Sequence, residues 1–426
     1  MRRKNVKIFS AFFTVSFLLL LLAGRSAYGG GIALYEVGFT QTALASAGWA
    51  SRADDASTLF TNPAGMTRLK NSEFLGGIQP LYTDLKFSPD GRTTVPGSSG
   101  SSRQVLPTGN LYYVHSVSPD LKIGIGVIGY FGLGLDYGHG WVGRYYVTSD
   151  NLQGITIQPS VAYKVTDKLS VGAGLNAMYA AFEQKMAVNN LGDRLPDGQL
   201  KLDDSTWGFG ANLGLLYELD SKTRFGINYL SEVKLDFTSR PQFTGTGPLL
   251  SNVLAARGTS SLDLTMWVPQ MVMASVYRQL NDRWGIMGDV GWQEWSRFGR
   301  VDVSVNSNDP RSLTTDLHYK DTWHFALGAQ YQISKPWLLL FGAAYDSSAV
   351  KGANMSVALP MGETYRFGVG TQYQWTQKLS LGFAYELIWL GTLNVDQERG
   401  PLAGRVAGEY NDAAIHAFQV ALRYQF

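Results

Sequence analysis

The last nine residues, Phe418 to Phe426, read Phe-Gln-Val-Ala-Leu-Arg-Tyr-Gln-Phe, with a strict period of two. Phe418, Val420, Leu422, Tyr424 and Phe426 fall on one face of an extended strand, and Gln419, Arg423 and Gln425 on the other. A chain that closes on an aromatic residue, apolar on one face and polar on the opposite one, has the form of the closing strand of a transmembrane β-barrel. The same alternation recurs upstream. Trp207, Phe209, Ala211, Leu213, Leu215 and Tyr217 oppose Gly208, Gly210, Asn212 and Gly214, while Tyr365, Phe367 and Val369 oppose Arg366, Gly368 and Gly370.

Such segments lie near 73–87, 104–117, 120–132, 153–165, 168–187, 204–219, 223–238, 260–280, 283–304, 315–333, 336–348, 363–375, 378–397 and 413–426. They predict an all-β, transmembrane antiparallel barrel of about fourteen strands. Short turns at Ser118-Pro119-Asp120, 165–168, 219–223, 280–283, 334–336 and 376–378 alternate with long connections at 88–103, 133–152, 188–203, 239–259, 305–314, 349–362 and 398–412. That alternation fits periplasmic turns and external loops, with both chain ends on the periplasmic side. Trp284, Trp337, Trp375 and Tyr163, near strand ends, suit an interfacial girdle.

The first residues read as a signal peptide. Arg2, Arg3, Lys4 and Lys7 precede the apolar run Ile8 to Ala23, and Ala27-Tyr28-Gly29 supplies small residues at the cleavage positions. The run is shorter than the roughly 20 residues of a membrane-spanning helix. Residues 1–29 hold five basic residues (Arg25 is the fifth) and no acid, so cleavage takes the formal charge from +2 to −3. No basic face remains to suggest nucleic acid. The absence of cysteine fits export. Downstream, the longest apolar stretch, Pro336 to Tyr345, is too short for a helical span, yet 45% of residues are hydrophobic, 13% aromatic and only 16% charged. An exported, charge-poor chain without a spanning helix is expected in the outer membrane of a Gram-negative bacterium, where a closed barrel satisfies its backbone in lipid. A soluble sandwich or propeller would leave a large apolar exterior in water.

Enzyme chemistry finds no support. The five histidines, His115, His139, His318, His324 and His416, fall outside any Ser/His/Asp signature. There is no metal-ligand spacing, no nucleotide-binding Gly-x-x-x-x-Gly-Lys-Ser/Thr, and hence no cofactor is expected.

Residues 30–70 do not alternate. Ala43-Leu44-Ala45-Ser46-Ala47-Gly48-Trp49-Ala50 is small and helix-permissive, Arg52 to Ser57 is polar, and Thr61-Asn62-Pro63-Ala64-Gly65-Met66 reads as a turn. A barrel of this size is too wide for its own side chains to fill, so the lumen offers these residues a place, and lumen-face glycines would let them approach the wall. A periplasmic tail is the alternative.

These residues resemble the FadL/TodX outer-membrane transporters of long-chain fatty acids and hydrocarbons. The resemblance rests on Gly30-Gly31-Ile32-Ala33-Leu34-Tyr35-Glu36, Ala53-Asp54-Asp55-Ala56-Ser57-Thr58, Asn62-Pro63-Ala64-Gly65-Met66, Gly140-Trp141-Val142-Gly143-Arg144-Tyr145 and Pro159-Ser160-Val161-Ala162-Tyr163. It implies a fourteen-stranded barrel over 71–426, closed by a hatch at 30–70 that ends in Asn62, Pro63 and Ala64. It also implies ligand capture in an external hydrophobic site and release through the barrel wall. The expected partners are therefore a hydrophobic small molecule together with outer-membrane lipid and lipopolysaccharide. The barrel-assembly machinery is expected to contact Phe426, and the chain is expected to act as a monomer.

Two loops suit capture. Leu249, Leu250, Val253 and Leu254 share a face at helical spacing. The 133–152 loop offers Leu135, Trp141, Tyr145 and Tyr146, although both loops would also serve to pack on each other. Arg144 is positioned either to fork a carboxylate or to pair with Asp136 or Asp150. Arg52, Asp54 and Asp55 read as an internal ion network that positions the hatch. Gly129, Gly132 and Gly134 lie where the family has a wall kink, and they mark either a lateral opening or close packing on the hatch. The function expected is passive uptake of hydrophobic molecules, long-chain fatty acids first, with aromatic or alkane hydrocarbons as the alternative.

Overall fold

A computed structural model describes residues 33–190, 195–258, 260–306 and 311–426. The expected signal peptide and Gly30 to Ile32 lie outside the described residues. Fourteen antiparallel staves form the wall among the described residues. They are β1 (Glu73–Pro89), β2 (Gly100–Ser116), β3 (Leu121–Asp136), β4 (Ser149–Lys164), β5 (Leu169–Val188) and β6 (Gly198–Glu218). Four broken staves follow: β7 (Thr223–Leu230, Val233–Ser239), β8 (Ser261–Val268, Met271–Gln279), β9 (Trp284–Gln293, Arg300–Asn306) and β10 (Arg311–Asp316, Thr322–Ser334). The last four, β11 (Trp337–Asp346), β12 (Thr364–Gln374), β13 (Leu379–Glu398) and β14 (Arg405–Gln425), complete the ring. β1 pairs with β14 from Glu73↔Gln425 to Pro89↔Gly408, which closes the barrel and leaves no free edge there.

Alternation alone predicts β7 to β10 as continuous strands. Each is broken, and the parts farther from the short turns pair among themselves as a separate four-stranded sheet. In β9 the break is the single helical turn Trp295–Phe298, which buries both of its aromatic ends. A break tilts the far half of a stave without disturbing the period-two pattern on either side, so alternation alone cannot reveal it.

The period of two sets what each face meets. Phe209, Leu213, Phe225, Ile227, Phe325, Leu327, Phe367 and Phe383 point outward and stay exposed. Such a surface is intolerable in water and suited to acyl chains. Two aromatic belts bound it. Trp284 packs against Tyr331 at 4.5 Å and Trp337 against Tyr373 at 4.6 Å near the short turns, while Tyr365 links Tyr345 (5.3 Å) to Trp389 (5.8 Å) near the loops.

The lumen is filled by the N-terminal segment. Residues 35–66 are almost continuously buried against inward-facing positions. The wall is bare where they touch it. A side chain at Gly342 would overlap the Leu44 carbonyl, one at Gly226 the Ala50 carbonyl, and one at Gly214 the Asn62 amide. The helix-permissive stretch 43–50 is helical only at its start: α1 spans Phe39–Ala43 and stops. Ala45 and Ser46 then turn through positive φ (47° and 70°) and Gly48 follows at 83°. Wall contacts override the local propensity here.

Candidate functional site

Three features of the lumen act together: the anchorage of the N-terminal segment, the cavity above it, and an interruption in the wall.

The anchorage is polar and is built from both sides. Arg224 of β7 donates through Nε to the Ser51 carbonyl (2.6 Å), and through Nη2 to the Arg52 carbonyl and to Asp54 (2.9 Å). Its guanidinium lies 3.7 Å from the centre of the Tyr277 ring. Arg52 pairs with Asp55 at 3.3 Å and with Asp54 at 3.8 Å, and Thr40 donates to Asp55. Asp289 of β9 accepts the Gly48 amide, and Ser275 of β8 accepts the Ala50 amide at 2.9 Å. Burial pushes the Asp54 carboxyl up, but Arg224 and Arg52 outweigh it and hold it below the ordinary range. At the end of the segment Asn62 caps the 3-10 turn Pro63–Arg68 by accepting from the Ala64 amide, and it donates to the Ala50 and Leu215 carbonyls at 2.6 and 3.0 Å. Pro63 and Ala64 press on Gly172. Two further ion pairs lie in the lumen: Arg68 with Glu218, and Arg423 with Glu73 at 2.7 Å.

Above this lies a cavity of about 110 Å³. Leu85, Leu133, Leu135, Ile388, Leu390 and Ile415 give it apolar walls, and Trp295 and Met361 also line it. Tyr35, Asp346 and Arg366 form its polar floor. Arg366 bonds Asp346 at 2.6 Å and Glu36 of the N-terminal segment, and Glu386 stands 3.6 Å away. His324 meets Asp346 at 2.5 Å, and its ring packs 4.4 Å from that of Tyr35. Three carboxylates therefore converge on one guanidinium, and one of them belongs to the segment that fills the lumen.

The wall is interrupted beside the cavity. β2 and β3 pair only from Ser116↔Lys122 to Asn110↔Ile128. Beyond that point β2 continues against β1 as far as Gly100, and β3 continues against β4 as far as Asp136. No β2–β3 ladder joins 100–109 to 129–136 among the described residues. The departure begins at a bulge between Gly129 and Phe131, where Tyr130 has no partner on β4. The Leu34 amide donates to the Tyr130 carbonyl at 2.8 Å, so the N-terminal segment holds the bulge from inside. Of the three glycines singled out, Gly129 sits at this bulge, and Gly132 and Gly134 lie in the diverging part of β3, where Gly132 faces the Leu152 carbonyl closely.

The loop residues fall into distinct settings. Trp141 and Tyr146 are buried where the loop meets its neighbours. Trp141 stacks on Tyr137 at 4.2 Å and donates to the Val147 carbonyl, and Tyr146 donates to the Gly404 carbonyl. Arg144 pairs with neither Asp136 nor Asp150. Its partner is Asp197 of the next loop (2.7 Å), with Tyr145 on the same carboxylate and the Pro96 carbonyl on Nη1. Sequence distance within a loop misled here, because neighbouring loops interlock. Leu249, Leu250, Val253 and Leu254 lie on helix α2 (Pro248–Arg257). Only Leu250 is buried (7% exposed) and Leu254 half-buried, while Leu249 and Val253 stand 51% and 43% exposed, so the four form no single buried face. Of the proposed ligand residues, Leu135 alone lines the cavity.

A family model described as outer membrane protein transport protein (OMPP1/FadL/TodX) matches residues 20–426. The chain belongs to this family. It is 28% identical to outer membrane protein P1 of Haemophilus influenzae over 96% of this chain and 97% of that protein. It is also 28% identical to the long-chain fatty acid transport protein of Escherichia coli O6:H1, over 87% of this chain and 89% of that one. Among solved structures, a Pseudomonas aeruginosa FadL homologue superposes with a TM-score of 0.82 at 20% identity, covering 93% of this chain and all of that one. The Ralstonia pickettii toluene transporter TbuX gives 0.68 at 18% identity, covering 92% and 99%. The chain is thus an outer-membrane channel of Gram-negative type for hydrophobic molecules, and not an enzyme.

Proposed function

We propose that the channel takes up long-chain fatty acids passively and releases them sideways through the β2–β3 interruption, with residues 30–70 acting as a movable hatch. The observation that carries this reading is the cavity itself. Its walls are apolar, its floor holds Arg366, and Leu133 and Leu135 place it directly behind the stretch of β3 that has left β2. A guanidinium fork suits a carboxylate. Arg366 is occupied by Glu36 as the structure stands, so the fatty-acid head group takes the place of Glu36 when the hatch shifts, and the tail follows the apolar wall outward. A methylene left in water costs about 0.8 kcal/mol, so a long tail gains far more from a lined path than from an aqueous pore. The loop residues Trp141, Tyr145 and Tyr146, with Leu249 and Val253, cover the entrance. Arg144, held by Asp197, keeps that cover in place.

One observation favours hydrocarbons instead. A cavity of 110 Å³ is nearer the size of a benzene site, for which about 150 Å³ suffices, than that of an extended acyl chain. Uptake of oleate and of toluene by cells whose only such channel is this protein separates the two readings. Arg366→Leu is expected to cut oleate uptake several-fold and leave toluene nearly unchanged. Equal effects on both would remove the head-group role and leave the hydrocarbon reading.

A further inference from the structure

We propose that the lipid-facing wall carries a site for one phosphorylated, multiply acylated glycolipid of the outer leaflet, with an acyl chain in a groove across β8 to β12 and a phosphate held by Lys320 and Lys351. This site lies on the outside of the barrel and is independent of the transport path. The groove has a volume of about 760 Å³. It arises from the pairing register. Along one row of outward positions Phe225, Val276, Gly288, Leu327, Ala343 and Phe367 stand directly opposite one another on successive strands. Gly288 and Ala343, on either side of Leu327, leave the wall low, while Phe225 and Phe367 raise its margins. Ala274, directly opposite Val290, extends the low ground one step toward the loops.

The second observation stands above the groove. Two backbone bonds carry the β10–β11 ladder past the ends of its strands, Ser347 to the Trp323 carbonyl (2.9 Å) and Lys320 to the Ala349 carbonyl (2.8 Å). The second bond brings Lys320 beside residues 349–351, so the exposed Lys320 and Lys351 lie near each other beyond the loop-side aromatic belt. The neighbouring acids are engaged elsewhere: Asp321 accepts from the Ser296 amide and Glu363 from the Tyr345 hydroxyl. Neither lysine has an acidic partner among the described residues. Lys351 pulls the Lys320 ammonium below its ordinary value, as a neighbouring like charge does. An anion bound between them relieves that repulsion, and a compact ammonium suits a phosphate. By the barrel asymmetry, long loops face outward, so the pair lies at the level of the outer-leaflet head groups while the groove lies at the level of their chains.

Native mass spectrometry of the purified mature protein with bis-phosphorylated lipid A tests this. The wild type is expected to retain one lipid, and not the same lipid stripped of its phosphates. Lys320→Gln with Lys351→Gln, and separately Ala343→Trp, which fills the groove without touching the lysines, are each expected to lower retention roughly tenfold. Heat-dependent gel mobility verifies that each variant is a closed barrel, and oleate uptake is expected to be unchanged. Retention unaltered in either variant, or equal retention of the phosphate-free lipid, overturns the proposal.

Discussion

Arg224 donates three hydrogen bonds to the N-terminal segment, and its removal gives a quantitative test of how that segment is held. Arg224→Ala deletes two charge-assisted bonds to the Ser51 and Arg52 carbonyls and the 2.9 Å ion pair with Asp54. Charge-assisted bonds contribute about 1.5–3 kcal/mol each, and breaking a fully buried ion pair costs about 3–5 kcal/mol. Those figures need discounting. Asp54 is 28% exposed and keeps Arg52 at 3.8 Å, and water can reach part of the vacated space. A net loss of about 2–3 kcal/mol remains, equivalent to a rise of roughly 30- to 150-fold in the population whose segment has left the wall. Hydrogen–deuterium exchange of peptides spanning 48–57 reads this directly, because amides such as Ala50 exchange only after local release. Protection is expected to fall by that ratio in Arg224→Ala. Arg224→Lys, which keeps the charge without the fork, is expected to fall about half as far on a logarithmic scale. Protection in Arg224→Ala within about twofold of wild type would refute the reasoning and show that apolar packing alone holds the segment.

Acid should loosen the same contact. The Asp54 carboxyl is held below its ordinary value of 3.8, so it stabilises the folded arrangement at every higher pH and loses that contribution as pH falls through the depressed value. Exchange protection of 48–57 is therefore expected to be flat from neutral pH to about 4 and to drop below it, and the Asp54→Asn variant should lack that acid step. At Gly342 a side chain would overlap the Leu44 carbonyl, so Gly342→Leu is expected to cost about 1–3 kcal/mol and to expose residues 39–50 to protease. Gly352→Ala, whose added methyl meets nothing within 4 Å, is expected to leave cleavage unchanged.

The wall was legible because its physics is local. A strand between lipid and lumen must alternate, and Phe209, Phe325 and Phe367 declare the outer face without reference to any partner. The strand ends agree with the pattern to within a few residues in most staves. At the C-terminus β14 starts at Arg405, well before the expected 413, because Val406, Ala407 and Gly408 lack the alternation yet still pair with β13. The lumen was less legible. The inward position of Arg366 follows from its place between Tyr365 and Phe367, but its bond to Glu36 spans 330 residues and leaves no periodic trace. Arg224 and Asp289 leave no more trace in the sequence: each is a single polar residue on an inward face. The loops were least legible, since Arg144 finds Asp197 through the interlocking of two loops whose meeting no spacing rule encodes.

Lateral release is tested most directly at the bulge in β3. Tyr130 is the extra residue that sends β3 away from β2. Its deletion restores an unbulged register with β4 and lets β3 continue alongside β2. With the variant shown by heat-dependent gel mobility to be a closed barrel in the outer membrane, oleate uptake is expected to fall at least about tenfold. Uptake at the wild-type rate through such a barrel would contradict sideways release.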